Sequence, residues 1–203
     1  MKQNEWAIRG QRNRHYHDLY AAIVEEPVPA PHRGRDVVLW RNGDDDYRDT
    51  YSFITWLAVK NRLSTGDRMR AWGLTQGCTL CGERDEKRDH LFFACPYSFT
   101  VWHGLANHIL GSYTDPDWQL TLDHLQGLRL GDMDTILIKM LFQMTIYHLW
   151  CERNARRHHK SWMSVDAMRT AIDKMMRNRI SSLKYRAGHK LAGLLHRWFL
   201  HTM

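Results

Sequence analysis

Three cysteines and one histidine stand close together in the chain: Cys78-Thr79-Leu80-Cys81, then His90 after eight intervening residues, then Cys95 after four more. A Cys-x2-Cys pair makes a tight turn that can aim two thiolates at one point. A third thiolate and an imidazole complete a tetrahedral donor set for Zn²⁺. Gly82, directly after the second cysteine, suits a turn that needs positive φ. Four protein ligands leave no position for water or substrate, so the pattern predicts a structural staple rather than a hydrolytic centre. Two other chemistries compete for these residues. A redox Cys-x2-Cys pair belongs in a βαβ setting, which the flanking pattern lacks; three inert core thiols are the remaining reading. A rival ligand set joins Cys78 and Cys81 to His103 and His108. It leaves Cys95 idle, and residues five apart on a regular helix diverge.

No residue is assigned a catalytic role. The acidic stretch Asp44-Asp45-Asp46-Tyr47 has the wrong order and polar flanks for a Tyr-x-Asp-Asp hairpin, whose two carboxylates hold Mg²⁺ between hydrophobic strands. It reads as a solvated turn. P-loop, His-Glu-x-x-His and Gly-x-Ser-x-Gly motifs are absent from the sequence. Cys151, near His148, falls in an apolar helical pattern and reads as a small buried hydrophobe rather than a nucleophile.

The elements that must position the cysteines are mainly helical. A first helix is predicted over residues 11–24, followed by a Pro-rich linker at 26–31 and a short strand over 37–40. Residues 42–46 read as a turn, and Ser52 as the N-cap of a helix bearing Phe53, Trp56 and Leu57. A second short helix starts at Thr65-Gly66-Asp67 and stops at Trp72-Gly73. Pro96 suits the first helical position directly after Cys95, and the helix it opens stacks Phe99, Trp102, Leu105 and Ala106 on one side. Residues 111–131 read as loop-rich. The strongest helical pattern spans 134–157, is apolar on nearly all sides as far as Cys151, and is expected at the centre of the fold. Ser164 caps the next helix, whose apolar stripe is read as Met168, Ile172, Met175, Ile180 and Leu183. A last segment over 190–201 carries Leu191, Leu194, Leu195 and Trp198.

Charge is distributed unevenly. Between Glu152 and Met203 there are twelve Lys/Arg against three Asp/Glu, whereas the preceding residues hold seventeen against nineteen. The basic excess therefore lies in the C-terminal quarter, and it points to a polyanionic partner, nucleic acid first. Arg153, Arg156, Arg157 and Lys160 recur at helical spacing beside His158, His159 and Trp162, and Arg177 and Arg179 extend the charge. Cations interleaved with aromatics suit phosphates and unstacked bases, which makes RNA or single-stranded DNA the expected partner. Exposed Trp198, Phe199 and Leu200 are the alternative, a protein contact. The N-terminal residues lack the apolar region of a secretory signal, and the longest apolar run is interrupted by Lys139, Gln143 and His148. The expectation is an intracellular protein, nuclear or cytoplasmic, in a reducing compartment.

The segments Phe53-Ile54-Thr55-Trp56-Leu57-Ala58, Arg62-Leu63-Ser64-Thr65-Gly66-Asp67-Arg68-Met69, Trp72-Gly73, Cys78-Thr79-Leu80-Cys81-Gly82 and His90-Leu91-Phe92-Phe93-Ala94-Cys95-Pro96, followed by Val101-Trp102, resemble the zinc-binding domain of plant non-LTR (LINE-type) retrotransposon reverse transcriptases. The likeness covers residues 52–110. Tyr147-His148-Leu149-Trp150, with Glu152-Arg153-Asn154-Ala155-Arg156-Arg157-His158 after it, is similar to the segment that follows this domain in such reading frames. The resemblance implies Zn²⁺ held by Cys78, Cys81, His90 and Cys95 in a module associated with nucleic acid, without the family's polymerase motifs. The resulting expectation is a mainly α protein in three parts. Residues 1–51 form an N-terminal segment that is partly irregular and shortened relative to the family, 52–110 a zinc-stapled helical module, and 111–203 a basic helical region. Its expected function is non-catalytic association with RNA or DNA. A protein-interaction or vestigial structural module is the alternative, and an active reverse transcriptase fragment ranks last.

Overall fold

The computed structural model describes residues 39–42, 45–127, 130–159, 162–183 and 191–202, with side chains from residue 51 onward. The helix expected over 11–24 and the Pro-rich linker lie outside the described residues. Residues Leu39–Met203 form one compact unit. It is mainly helical, with a two-stranded hairpin at its start.

Strand β1 (Leu39–Asn42) pairs antiparallel with β2 (Asp45–Asp49), Leu39 opposite Asp49 and Trp40 opposite Arg48. Asn42 pairs with Asp45, which leaves two residues for the connection and makes Asp45 and Asp46 strand, not turn. Helix α1 (Thr50–Val59) begins directly where β2 ends. The hairpin thus sets the helix start, and Ser52 lies inside the first turn instead of capping it. The helix stops at Asn61, whose positive φ lets the Arg62 N–H reach back to the Leu57 carbonyl (2.8 Å). Helix α2 (Gly66–Arg70) stops in the same way at Gly73 (φ 76°), with the Leu74 N–H on the Met69 carbonyl.

Pro96 opens α3 (Pro96–Leu110) as expected, and Trp102, Leu105 and Ala106 are buried along it. The stretch read as loop-rich contains a helix, α4 (Trp118–Gly127). Asp117 caps it by accepting from the Leu120 N–H (2.8 Å). Helix α5 (Asp132–Arg157) is the central element, packed by α1, α3, α4, α6 and α7. Cys151 nevertheless faces solvent, because the buried stripe of α5 passes through Leu149, Glu152 and Arg153. Ser164 caps α6 (Val165–Ser182) through the Ala167 N–H. The fully buried stripe there is Met168, Ile172, Met176 and Ile180, at strict four-residue steps; Met175 and Leu183 are partly buried and pack against the core's edge. In α7 (Leu194–Thr202), Trp198 has no exposed surface and donates its indole N–H to Asp173 (2.9 Å). Its burial removes it from any docking face; Leu200 alone of the terminal apolar trio is well exposed.

The core is one continuous cluster. At its centre Phe93 lies 5.5 Å from both Trp102 and Trp118 and 6.0 Å from Phe142, ring centre to ring centre. Residues before and after Leu110 therefore share a core. Among the described residues, no helix is long and apolar enough to cross a membrane.

Candidate metal centre

The first two cysteines sit in a hairpin turn. The Gly82 N–H bonds back to the Cys78 carbonyl (2.8 Å) and the Cys78 N–H to the Glu83 carbonyl (2.7 Å). Gly82 has φ 85°, a conformation that L side chains rarely adopt. The other two candidate ligands flank a π-helical turn, His90–Ala94, closed by the Cys95 N–H on the His90 carbonyl (2.7 Å). A bond from residue i to i+5 makes a wider turn than the α-helical i to i+4 bond, so His90 and Cys95 come back towards one side of the chain. Of the four residues between, Leu91, Phe92 and Phe93 enter the core and Ala94 is exposed. Ser98 fixes the following turn by donating to the Leu91 carbonyl (2.6 Å).

These two turns bring Cys78, Cys81, His90 and Cys95 together, with one potential ligand atom from each and all four within 4.8 Å of one another. The Cys78 and Cys95 sulfurs are 3.9 Å apart, and Cys81 Sγ is 3.2 Å from His90 Nε2. For metal–sulfur bonds of about 2.3 Å, the edge of a tetrahedron is about 3.8 Å, so the sulfur spacing fits. His103 and His108 occupy exposed positions on α3 and are not in the cluster.

Backbone donors favour thiolate at each sulfur, against burial. Backbone N–H groups of Leu80 and Cys81 face the Cys78 sulfur, that of Glu83 faces Cys81, and those of Tyr97 and Ser98 face Cys95. Cys95 is also the N-cap residue of α3, where the helix dipole favours negative charge. With no metal, the proton held between Cys78 and Cys95 pushes the Cys95 thiol down to about 5 and the Cys78 thiol up. Burial raises Cys81.

The cysteine turn is seated on the C-terminal end of α5. Thr79 donates its hydroxyl to the Arg153 carbonyl (3.3 Å), and Arg156 donates to the Leu80 carbonyl (3.2 Å). Arg153 itself turns inward. Its guanidinium meets the Glu86 carboxylate at 2.5 Å, and both side chains are almost fully buried. The remaining capacity of the pair is filled by the Ser64 carbonyl and Asn154 on the Arg153 side, and by the Gly66 N–H on the Glu86 side. Gly66 is required here because a Cβ would collide with the Gln76 carbonyl oxygen. Arg156 pairs with buried Glu152 (2.8 Å) and lies 4.5 Å over the Tyr97 ring. Glu152 also accepts from the Met163 N–H, and Tyr97 donates to the Met163 carbonyl.

Of the cations expected at a nucleic-acid surface, Arg153 is therefore excluded: it is buried and ion-paired. Arg156 is mostly buried, with its guanidinium edge reaching an open cleft. Arg157 is half-buried; Arg177 is partly exposed and bound to Asp173 (2.7 Å); Arg179 is exposed; Lys160 lies outside the described residues. Glu86 and Glu152 escaped the sequence reading. Glu86 stands in the run Glu83-Arg84-Asp85-Glu86-Lys87-Arg88-Asp89, where nothing local distinguishes the one acid that is buried. An acid preceding Arg156 by four residues was a local signal for the Glu152 pair.

Fold and site together define a helical unit with a closed three-cysteine, one-histidine donor cluster of the metal-binding kind. Residues 37–102 match the family described as zinc-binding in reverse transcriptase. The match starts upstream of Ser52, takes in the hairpin, and ends within α3. Comparison with curated proteins and with solved structures gives no match.

Proposed function

We propose that this chain is a non-catalytic, retroelement-derived protein of LINE type, stapled by one Zn²⁺ and associating with RNA or single-stranded DNA through its basic C-terminal region. The observation that carries this reading is the convergence of four soft and borderline donors, at tetrahedral spacing, inside the segment that matches the zinc-binding family. Zn²⁺ bound there would act as a structural cross-link, since all four positions are supplied by protein. The cation excess between Glu152 and Met203 supports the nucleic-acid part, with Arg157 and Arg179 among the cations that reach solvent. The deciding experiment joins elemental analysis of purified protein to an oligonucleotide titration. About one zinc per chain, together with RNA affinity that falls steeply as salt rises, is the expected result. Zinc without any affinity at low salt would leave a protein-interaction or vestigial structural module. Absence of zinc from a folded, reduced chain would remove the central claim.

A further inference from the structure

Beside the cysteine turn lies an open cleft of about 500 Å³, lined by Thr79, Arg156, His159 and Trp162. We propose that it is a stacking subsite for one unpaired base of a single-stranded nucleic acid, with the Trp162 indole as its platform. The proposal rests on the nucleic-acid reading above and locates where a base, rather than a phosphate, is held.

Three observations converge on it. Trp162 is 69% exposed, more than any other described tryptophan except Trp72. It is nonetheless anchored at its base. The Arg156 guanidinium lies 5.7 Å from the ring centre, and the next residue, Met163, is held through both its N–H and its carbonyl. A ring carried on an anchored backbone presents a face on which a base can stack. Second, His159 has φ 54° just past the end of α5, a position where glycine is the usual occupant. The strained backbone keeps an imidazole at the cleft where the turn alone would be better served by glycine. Third, no acidic residue among the described residues lines the cleft; Glu152 is consumed by Arg156 and the Met163 N–H. A duplex keeps its bases stacked on one another, so such a platform selects unpaired strands.

The site also depends on the metal turn. Thr79 lies between the ligands Cys78 and Cys81 and forms one wall, tied to α5 by its hydroxyl. The test titrates a fluorescein-labelled single-stranded RNA 12-mer of mixed sequence with zinc-loaded, full-length protein. The same strand as DNA, and as a duplex, is run alongside. Trp162→Ala is expected to weaken single-strand binding by about tenfold, and Trp162→Phe to retain most of it. His159→Gly is expected to raise the melting temperature, since it relieves the positive φ, and yet to weaken binding. A purely structural role for His159 would not separate those two readouts. Equal affinity for RNA and DNA assigns the subsite to any single strand; tighter RNA binding assigns it to RNA through the 2′-hydroxyl. If wild type binds but Trp162→Ala and His159→Gly bind equally well, or if the duplex binds as tightly as the single strand, the subsite is refuted while the nucleic-acid reading stands. If wild type fails to bind at low salt, both fall.

Discussion

Removing the Arg153 guanidinium strands the Glu86 carboxylate, which has no exposed surface and no other cation in contact with it among the described residues. Arg153→Met is therefore expected to destabilise the zinc-loaded protein by about 3–5 kcal/mol in urea unfolding. The double variant Glu86→Gln/Arg153→Met should cost less than the sum of the single changes, because the second substitution removes the charge that the first leaves unpaired. Additive costs would show that the pair is not a unit. At the donor cluster, His90→Ala is expected to lower zinc retention on dialysis against a chelator, whereas His103→Ala, altering an exposed position on α3, should leave it unchanged. The reverse outcome would reinstate the rival ligand set. These residues also mark the limit of local reading. The ligand spacing was plain in the sequence, but Arg153 looked like a solvent-facing cation. Its partner stands 67 positions away among seven consecutive charged residues.

At the scale of elements, the same rule that argued against His103 and His108 applies to His90 and Cys95, which are also five apart. The fold meets it with a π-helical turn in place of an α-helical one. That turn was not legible in advance, because its closing bond is backbone and its residues, Leu91-Phe92-Phe93, would suit a buried strand or helix equally. Zinc removal should therefore act locally first. Hydrogen exchange is expected to show loss of protection around the cysteine turn, the π turn and the first turn of α3, with α6 and α7 protected longest. Simultaneous loss everywhere would mean that the metal holds the whole unit. The other boundaries were legible where capping chemistry fixed them, at Gly73, Pro96 and Ser164. They failed where neighbours decided, as at α1, whose start is set by the hairpin, and at α4, whose Asp117 cap was read as loop.

Across the whole molecule, acid is expected to weaken the fold in two windows. Burial holds His148 below the ordinary histidine range, and its Nε2 is buried without a hydrogen-bond partner. Its folded pKa is thus lower than its unfolded value of about 6.5. The unfolded chain takes up the proton first, so this contribution is complete above about pH 6.5 and is lost as pH falls below it. Arg197, with help from His201, likewise holds Asp134 down, so that pair's contribution persists until pH drops below the ordinary aspartate value of about 3.9. Melting curves between pH 7.5 and 5 should show His148→Phe with a flatter acid limb than wild type; an unchanged limb would exonerate His148. The seating of the cysteine turn on α5 carries a further consequence, for dissection. The family match ends at residue 102, yet the surfaces of Phe93 and Trp102 are closed by Phe142, and the cysteine turn is hydrogen-bonded to Arg153 and Arg156. The matched segment is smaller than the unit of folding: a fragment cut after Leu110 would keep every candidate metal ligand and lose the floor on which they rest.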